Sequence, residues 1–125
     1  MANKFFTLAE ARAALPLVRD LMTQIQGARR EIIDAQPEMW SVLKASVGNG
    51  GSKKAGELLG AFERLQSGVR AIQEVGCVIK DLDTGLVDFL HHRNGRQVYL
   101  CWRYGEDEIG YWHDIDAGFS GRHPL

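Results

Sequence analysis

The chain has 125 residues, of which 45% are hydrophobic and 25% charged, and this composition is typical of one globular domain. The formal net charge is −1, with ten Lys and Arg against eight Asp and Glu in residues 1–76 and five against eight in residues 77–125. Neither half has the basic excess that binding to a phosphate backbone requires, so nucleic acid is not expected as a partner.

Targeting and redox signals indicate a cytoplasmic protein. The two cysteines, Cys77 and Cys101, are too few for a disulfide framework. The N-terminus lacks the apolar run of a signal peptide, and no stretch approaches the length needed to span a membrane. We therefore expect no membrane association.

The first part of the chain predicts a helical hairpin. A capping box at residues 7–10 precedes apolar residues spaced by threes and fours, namely Leu8, Ala11, Leu15, Val18, Met22, Ile25 and Ile32. A short helix is predicted over residues 37–46, and a glycine-rich loop over residues 47–52. The second long helix covers about residues 53–75 and ends at Gly76, a residue suited to the left-handed position after a helix.

The first predicted helix is longer than the sheet that it would cover. It measures about 40 Å at 1.5 Å per residue, whereas strands of five or six residues span about 17–20 Å. The overhanging apolar seam needs cover, so we expect a homodimer that forms through the helices. The alternative is that residues 37–46 fold back over the overhang.

Beyond Gly76 the apolar residues alternate, as is typical of antiparallel strands. Residues 83–85 predict a three-residue hairpin loop, which sets Lys80 opposite Asp88. Asn94–Gly95 is a signal for a tight type I′ turn, which sets Asp88 opposite Cys101.

A third turn near residues 106–107 leads to a last strand. The predicted fold is therefore of the α+β class: a long antiparallel helical hairpin with a short middle helix, followed by a four-stranded antiparallel meander. Residues 1–125 form a single domain in this interpretation, with the hairpin in residues 1–76 and the sheet and C-terminal tail in residues 77–125.

Strand alternation separates two faces of the predicted sheet. The core face carries Cys77, Ile79, Val87, Phe89, Val98, Leu100 and Trp102. The other face is polar and carries Lys80, Asp88, Tyr99, Cys101 and Arg103. A two-residue third turn places Trp112 on the polar face and His113 on the core face, and apolar matching favours this register. A three-residue turn places His113 beside Asp88 and Cys101 instead.

Four longer strings in the sequence are specific enough to compare with known families: Phe6–Ala11, Lys80–Phe89, Val98–Trp102 and Trp112–Arg122. Together they resemble a bacterial family known as domain of unknown function 2203. The chain departs from the family pattern at Leu90, where a proline is expected, and in the glycine-rich loop at residues 48–51. The resemblance implies a cytoplasmic prokaryotic protein and no assigned activity.

The sharpest hypothesis for a site is a metal centre formed by Asp88, Cys101 and His113. The first two would be cross-strand neighbours about 5 Å apart at Cβ, and His113 would join them in the second register. A fourth ligand could come from Asp81, His92 or Asp116. Zinc or iron accepts such a mixed set. No C-x-x-C or H-x-x-x-H spacing supports it, so the alternative is that Asp88 pairs with Lys80 and Arg103 while Cys101 packs as a small hydrophobe.

Two other kinds of chemistry are disfavoured. Cys101 is a poor candidate nucleophile because the neighbouring Asp88 raises the pKa of a thiol. Asp81 and Asp83 lie in or beside a turn, where aspartate commonly caps its own backbone rather than acting as an acid or base.

The leading functional hypothesis is a non-catalytic binding or assembly module without a cofactor. It would present a polar sheet face to a protein partner or small ligand, through Lys80, Asp88, Tyr99, Arg103 and Trp112. The alternative is a metal-binding protein or metal-dependent enzyme that uses Asp88, Cys101 and His113 to hold zinc or iron.

Overall fold

The computed structural model describes residues 4–47 and 58–125. Within these residues the helices are α1 (Leu8–Ala35), α2 (Met39–Ser46) and α3 (Leu59–Val75). Most of the predicted glycine-rich loop and the predicted start of the second long helix, at residues 48–57, lie outside the described residues. No helix in the described part is both long and apolar enough to cross a membrane.

Helix α1 begins at the predicted capping box. The backbone N–H of Thr7 donates to Glu10 Oε1 at 2.9 Å, and the N–H of Glu10 donates to Thr7 Oγ1 at 3.0 Å. The helix continues through Pro16 and buries one stripe: Ala11, Leu15, Val18, Met22, Ile25, Ala28 and Ile32. This stripe packs against α3 at close range, because a Cβ added at Gly68 would lie 2.7 Å from Ile25 Cγ1.

Helix α2 folds back onto this hairpin. Trp40 and Leu43 are buried in the same apolar cluster as Ile32, near the end of α1. Every residue of the α1 stripe is at most 5% exposed within the single chain. The observation favours the alternative in which residues 37–46 cover the overhang. The overhang therefore no longer requires a second chain, and the homodimer stays a prediction.

The second half of the chain forms an antiparallel sheet, as predicted. Its described strands, in sheet order, are β1 (Val78–Asp81), β2 (Leu86–Arg93), β3 (Arg96–Arg103), β4 (Tyr111–Asp114) and β5 (His123–Pro124). The prediction of four strands is one short, because two residues of the C-terminal tail pair with β4. The helices pack against one face of the sheet. Their buried residues form one continuous core with Val87, Phe89, Leu100 and Trp102 of that face.

The pairing of β2 with β3 follows the prediction. Asp88 lies opposite Cys101, and the turn residues Asn94 and Gly95 have φ values of 53° and 78°. These positive φ angles are what a type I′ turn requires.

The predicted pairing of β1 with β2 is wrong. Val78, not Lys80, lies opposite Asp88, because a β-bulge between Ile79 and Asp81 shifts the register. The bulge gives β1 one extra residue, and the loop that follows has four residues, 82–85, rather than three. Lys80 nevertheless reaches the face of Asp88, since its Nζ lies 4.6 Å from the ring centroid of Tyr99.

The favoured register of the last strand is also wrong. Tyr99 lies opposite His113 and Leu100 opposite Trp112. His113 therefore shares a face with Asp88, and Trp112 lies on the face that the helices cover in part. No tight turn joins β3 to β4, because residues 104–110 form a longer connection. Ile109 lies in this connection and is 1% exposed. The favoured register had taken the buried apolar residues of this region to lie within the strand, whereas Ile109 packs into the core from outside it.

Candidate metal centre

Three potential metal ligands converge on the sheet face opposite the helices. Asp88, Cys101 and His113 come from the adjacent strands β2, β3 and β4, and one ligand atom from each lies within 4.8 Å of the others. Their exposed fractions are 0%, 0% and 1%. Atoms bonded to one tetrahedral zinc ion at about 2.0–2.3 Å are about 3.3–3.8 Å apart. Side-chain movements of about 1 Å therefore suffice to place all three around one ion.

A contact with the backbone of the next residue fixes the orientation of the His113 ring. Its Nδ1 lies 2.8 Å from the carbonyl oxygen of Asp114, and a carbonyl only accepts, so Nδ1 carries a proton. The other nitrogen, Nε2, lies 2.9 Å from Oδ2 of Asp88. Metal-binding histidines are commonly oriented in this way, with one ring N–H donating to a carbonyl and the other nitrogen bonded to the metal.

The carboxyl group of Asp88 lies in a buried environment that disfavours its charged form. Burial raises its pKa, and the neighbouring His113 offsets part of this increase. Its second oxygen, Oδ1, is buried and has no hydrogen-bond partner among the described residues. A buried acceptor without a partner costs about 1–3 kcal/mol. A cation bound at this point would satisfy that oxygen.

Cys101 is a protonated thiol in this setting. Burial is the largest cause, and with the charge of Asp88 it raises the pKa of the thiol to about 12, although Arg122 acts in the opposite direction. Such a thiol is a weak nucleophile, which agrees with the prediction from sequence. Metal binding would require the loss of this proton.

The C-terminal tail covers the site. Arg122 donates to Glu106 Oε2 at 2.9 Å and Oε1 at 2.7 Å, and also to the backbone oxygen of Cys101 at 3.2 Å. Its guanidinium lies 4.1 Å from the ring centroid of Tyr111, which is opposite Cys101 in the sheet. The tail therefore lies on the face opposite the helices, beside Cys101 and Tyr111. The Glu106–Arg122 pair was not predicted.

The predicted ligand-binding residues are divided between the two faces. Lys80 and Tyr99 lie beside Asp88, and Arg103 contacts Phe119 of the tail at 5.0 Å from the ring centroid. Trp112 lies on the opposite face, where the guanidinium of Arg93 is 4.9 Å from its ring centroid. The polar face is also not open, since its central residues are buried.

The proposed fourth ligands do not join the cluster. Among residues 4–47 and 58–125, the group of potential ligands contains only the three named above. Asp81 instead accepts from the backbone N–H groups of Asp83 and Thr84, both at 3.3 Å, which is the predicted turn-capping role. His92 stacks on Phe5 with ring centroids 4.1 Å apart.

Comparison with known proteins supports the resemblance seen in the sequence. Residues 4–125 match the model of a family described as Uncharacterized conserved protein (DUF2203). No curated protein and no solved structure matches the chain. The family match covers every described helix and strand, and it includes all three residues of the candidate metal centre. The chain therefore belongs to the DUF2203 family.

Proposed function

We propose that this protein binds one divalent transition-metal ion through Asp88, Cys101 and His113. The observation that supports this function is the convergence of three ligand atoms within 4.8 Å on a buried face. One sulfur, one nitrogen and one oxygen donor suit zinc or ferrous iron. Calcium and magnesium prefer oxygen ligands throughout, so the set does not suit them.

The burial of the site favours a non-catalytic role for the metal. Three protein ligands leave one coordination position for water or another small ligand. The ligand residues are nevertheless at most 1% exposed, so a substrate has no open path to this position. The proposal thus takes up the alternative hypothesis of a metal-binding protein, in a non-catalytic form. The leading hypothesis, a cofactor-free module that presents its polar face to a partner or small ligand, stays a prediction. A metal-dependent enzyme would require the tail to open for its substrate.

The proposed setting is the cytoplasm. Cys77 and Cys101 are both free and buried, and a reducing compartment keeps such thiols available for metal binding. Self-association through the outer surface of the helices is also part of the proposal. Leu17 and Leu59, which are 53% and 50% exposed, are apolar residues that such an interface could use.

Elemental analysis tests this function. Purified protein is incubated with zinc or, without oxygen, with ferrous iron, and unbound metal is removed by gel filtration. We expect about one equivalent of metal in the wild type and less than a tenth of that in Cys101→Ala and Asp88→Asn. Cys77→Ala and His92→Ala are matched controls that should keep the metal. Metal-free wild type, or full retention by folded Cys101→Ala, would contradict the proposal.

A further inference from the structure

A second polar site lies on the opposite face of the sheet, at the β2–β3 hairpin. A cavity of about 360 Å³ is lined by Arg93, Asn94, Arg96 and Trp112. This volume lies within the range of about 300–1,000 Å³ that is typical of sites for small molecules. The cavity therefore has room for a small polar ligand.

The charges around this cavity are not balanced. Arg96 forms an ion pair with Asp114 at 3.0 Å. Arg93 lies directly opposite Arg96 in the hairpin and is only partly exposed. Among the described residues, no carboxylate lies within ion-pair distance of Arg93. Like charges that face each other across two strands are destabilising, so an anion between the two guanidiniums would relieve their repulsion.

The surroundings of Trp112 indicate how a ligand would be recognised. The guanidiniums of Arg93 and Arg96 lie 4.9 Å and 5.8 Å from its ring centroid. The ring of His123 lies 4.6 Å away on the neighbouring strand β5. A guanidinium stacked on an aromatic ring keeps its N–H groups at the edge, where they match two oxygens of a carboxylate or phosphate. Since the indole already has these contacts, charge rather than ring stacking would select the ligand.

We infer that this cavity binds a small oxyanion, either a carboxylate or a phosphate group, between Arg93 and Arg96. The site is separate from the metal centre, because the two lie on opposite faces of the sheet. Trp112 was predicted to bind a ligand on the polar face of the sheet. In this inference it lines a ligand site on the opposite face instead.

Nuclear magnetic resonance tests this inference on the metal-free protein. Inorganic phosphate and citrate are titrated separately at constant ionic strength, and the signals of the Trp112 indole N–H and the Asn94 amide are followed. We expect saturable shifts that are confined to the hairpin and to Trp112 on the neighbouring strand, and the ratio of the two affinities identifies the preferred oxyanion. Arg93→Gln should weaken binding by at least about tenfold, because it removes a charged hydrogen-bonding fork. Arg93→Lys should restore only part of the affinity.

The control is Arg30→Gln, which removes an exposed arginine whose only ion pair in the described part is to Asp34, at 3.8 Å. This variant should bind both anions as the wild type does. Shifts that stay linear, as in a sodium chloride titration, would overturn the inference, and so would saturable binding that Arg93→Gln leaves unchanged. Neither result bears on the metal proposal, because no metal ligand contributes to the measurement.

Discussion

The contact between Asp88 and His113 explains why the sheet face opposite the helices tolerates two buried polar side chains. Their atoms Oδ2 and Nε2 lie 2.9 Å apart, and the side chains are 0% and 2% exposed. Since Nδ1 already donates to a carbonyl, one proton lies between Nε2 and Oδ2, whichever group carries it. A metal ion would take the place of this proton. Without metal the hydrogen bond keeps Oδ2 and Nε2 paired, whereas Oδ1 of Asp88 has no partner among the described residues.

Truncation of this pair should destabilise the metal-free protein. Asp88→Ala leaves Nε2 of His113 buried without a partner, so we expect the free energy of unfolding to fall by about 1–3 kcal/mol. Asp88→Asn should lose less, because its amide can donate to the same nitrogen. Urea unfolding without metal measures the two values. Equal losses in both variants would contradict a hydrogen-bonding role for Asp88.

Gly85 lies in the β1–β2 loop, and its replacement by alanine tests how tightly this loop packs against Tyr104. Its φ is +72°, and an added Cβ would lie 2.6 Å from Cβ of Tyr104. Gly95 is a matched control, because its φ of +78° is similar but its surroundings are open. We expect Gly95→Ala to cost about 1–2 kcal/mol from backbone strain alone. Gly85→Ala should cost clearly more by thermal or chemical unfolding, and a similar cost in both variants would show that the contact is not tight.

At the scale of elements, two short segments, the C-terminal tail and helix α2, are held in place by ion pairs. The tail is held by the Glu106–Arg122 pair and by the backbone N–H of Leu125, which donates to Gly110 at 3.0 Å. Helix α2 is held to the β1–β2 loop by Asp83. This carboxylate accepts from Trp40 Nε1 and Lys44 Nζ, both at 2.7 Å.

If the tail is the cover, its release should expose Cys101. In a Cys77→Ser background, Arg122→Gln and Glu106→Gln should increase the rate of Cys101 modification by a thiol reagent by about tenfold or more, because opening costs less free energy. Arg64→Gln, which breaks an exposed pair with Glu31, is the control and should leave the rate unchanged. An unchanged rate in the two tail variants would show that another segment protects the thiol.

The Asp83 anchor should make stability depend on pH. Hydrogen bonds from Lys44 and then Trp40 lower the pKa of Asp83. A carboxylate with a lowered folded pKa stabilises the protein above its unfolded pKa, and this contribution is lost as the pH falls through the folded value. Because the side chain is 37% exposed, we expect Asp83→Asn to lose no more than about 1 kcal/mol at neutral pH.

This difference between Asp83→Asn and the wild type should be constant from about pH 6 to 8 and should begin to decrease as the pH falls below about 4. Denaturant unfolding across this range measures it. Asp34→Asn is the control, since its side chain is 66% exposed and its ion pair to Arg30 is long at 3.8 Å. A difference that persists unchanged at pH 3 would contradict the assigned anchor.

At the scale of the whole molecule, local signals predicted most of the architecture. The capping box, the apolar stripe of α1 and the Asn94–Gly95 turn act within a few residues of each other, so the sequence reveals them directly. The pairing of Asp88 with Cys101 follows from that turn alone. The α+β class and the order of elements are correct for the same reason.

The errors arose where distant contacts decide the structure. The bulge at Lys80 shifts the pairing of β1 with β2, and the register of β4 follows a seven-residue connection rather than a tight turn. The metal hypothesis needed the less favoured register, so the sequence could offer Asp88, Cys101 and His113 only as an alternative. The Glu106–Arg122 pair could not be predicted, because the two residues meet through folding and not through spacing.

X-ray absorption at the zinc edge identifies the atoms that bind the metal. For protein loaded with one equivalent of zinc, we expect one sulfur ligand at about 2.3 Å and nitrogen or oxygen ligands at about 2.0–2.2 Å. Cys101→Ala should lose the sulfur contribution, whereas Cys77→Ala should retain it. A zinc spectrum without sulfur, or one that Cys101→Ala leaves unchanged, would contradict a metal centre at Asp88, Cys101 and His113.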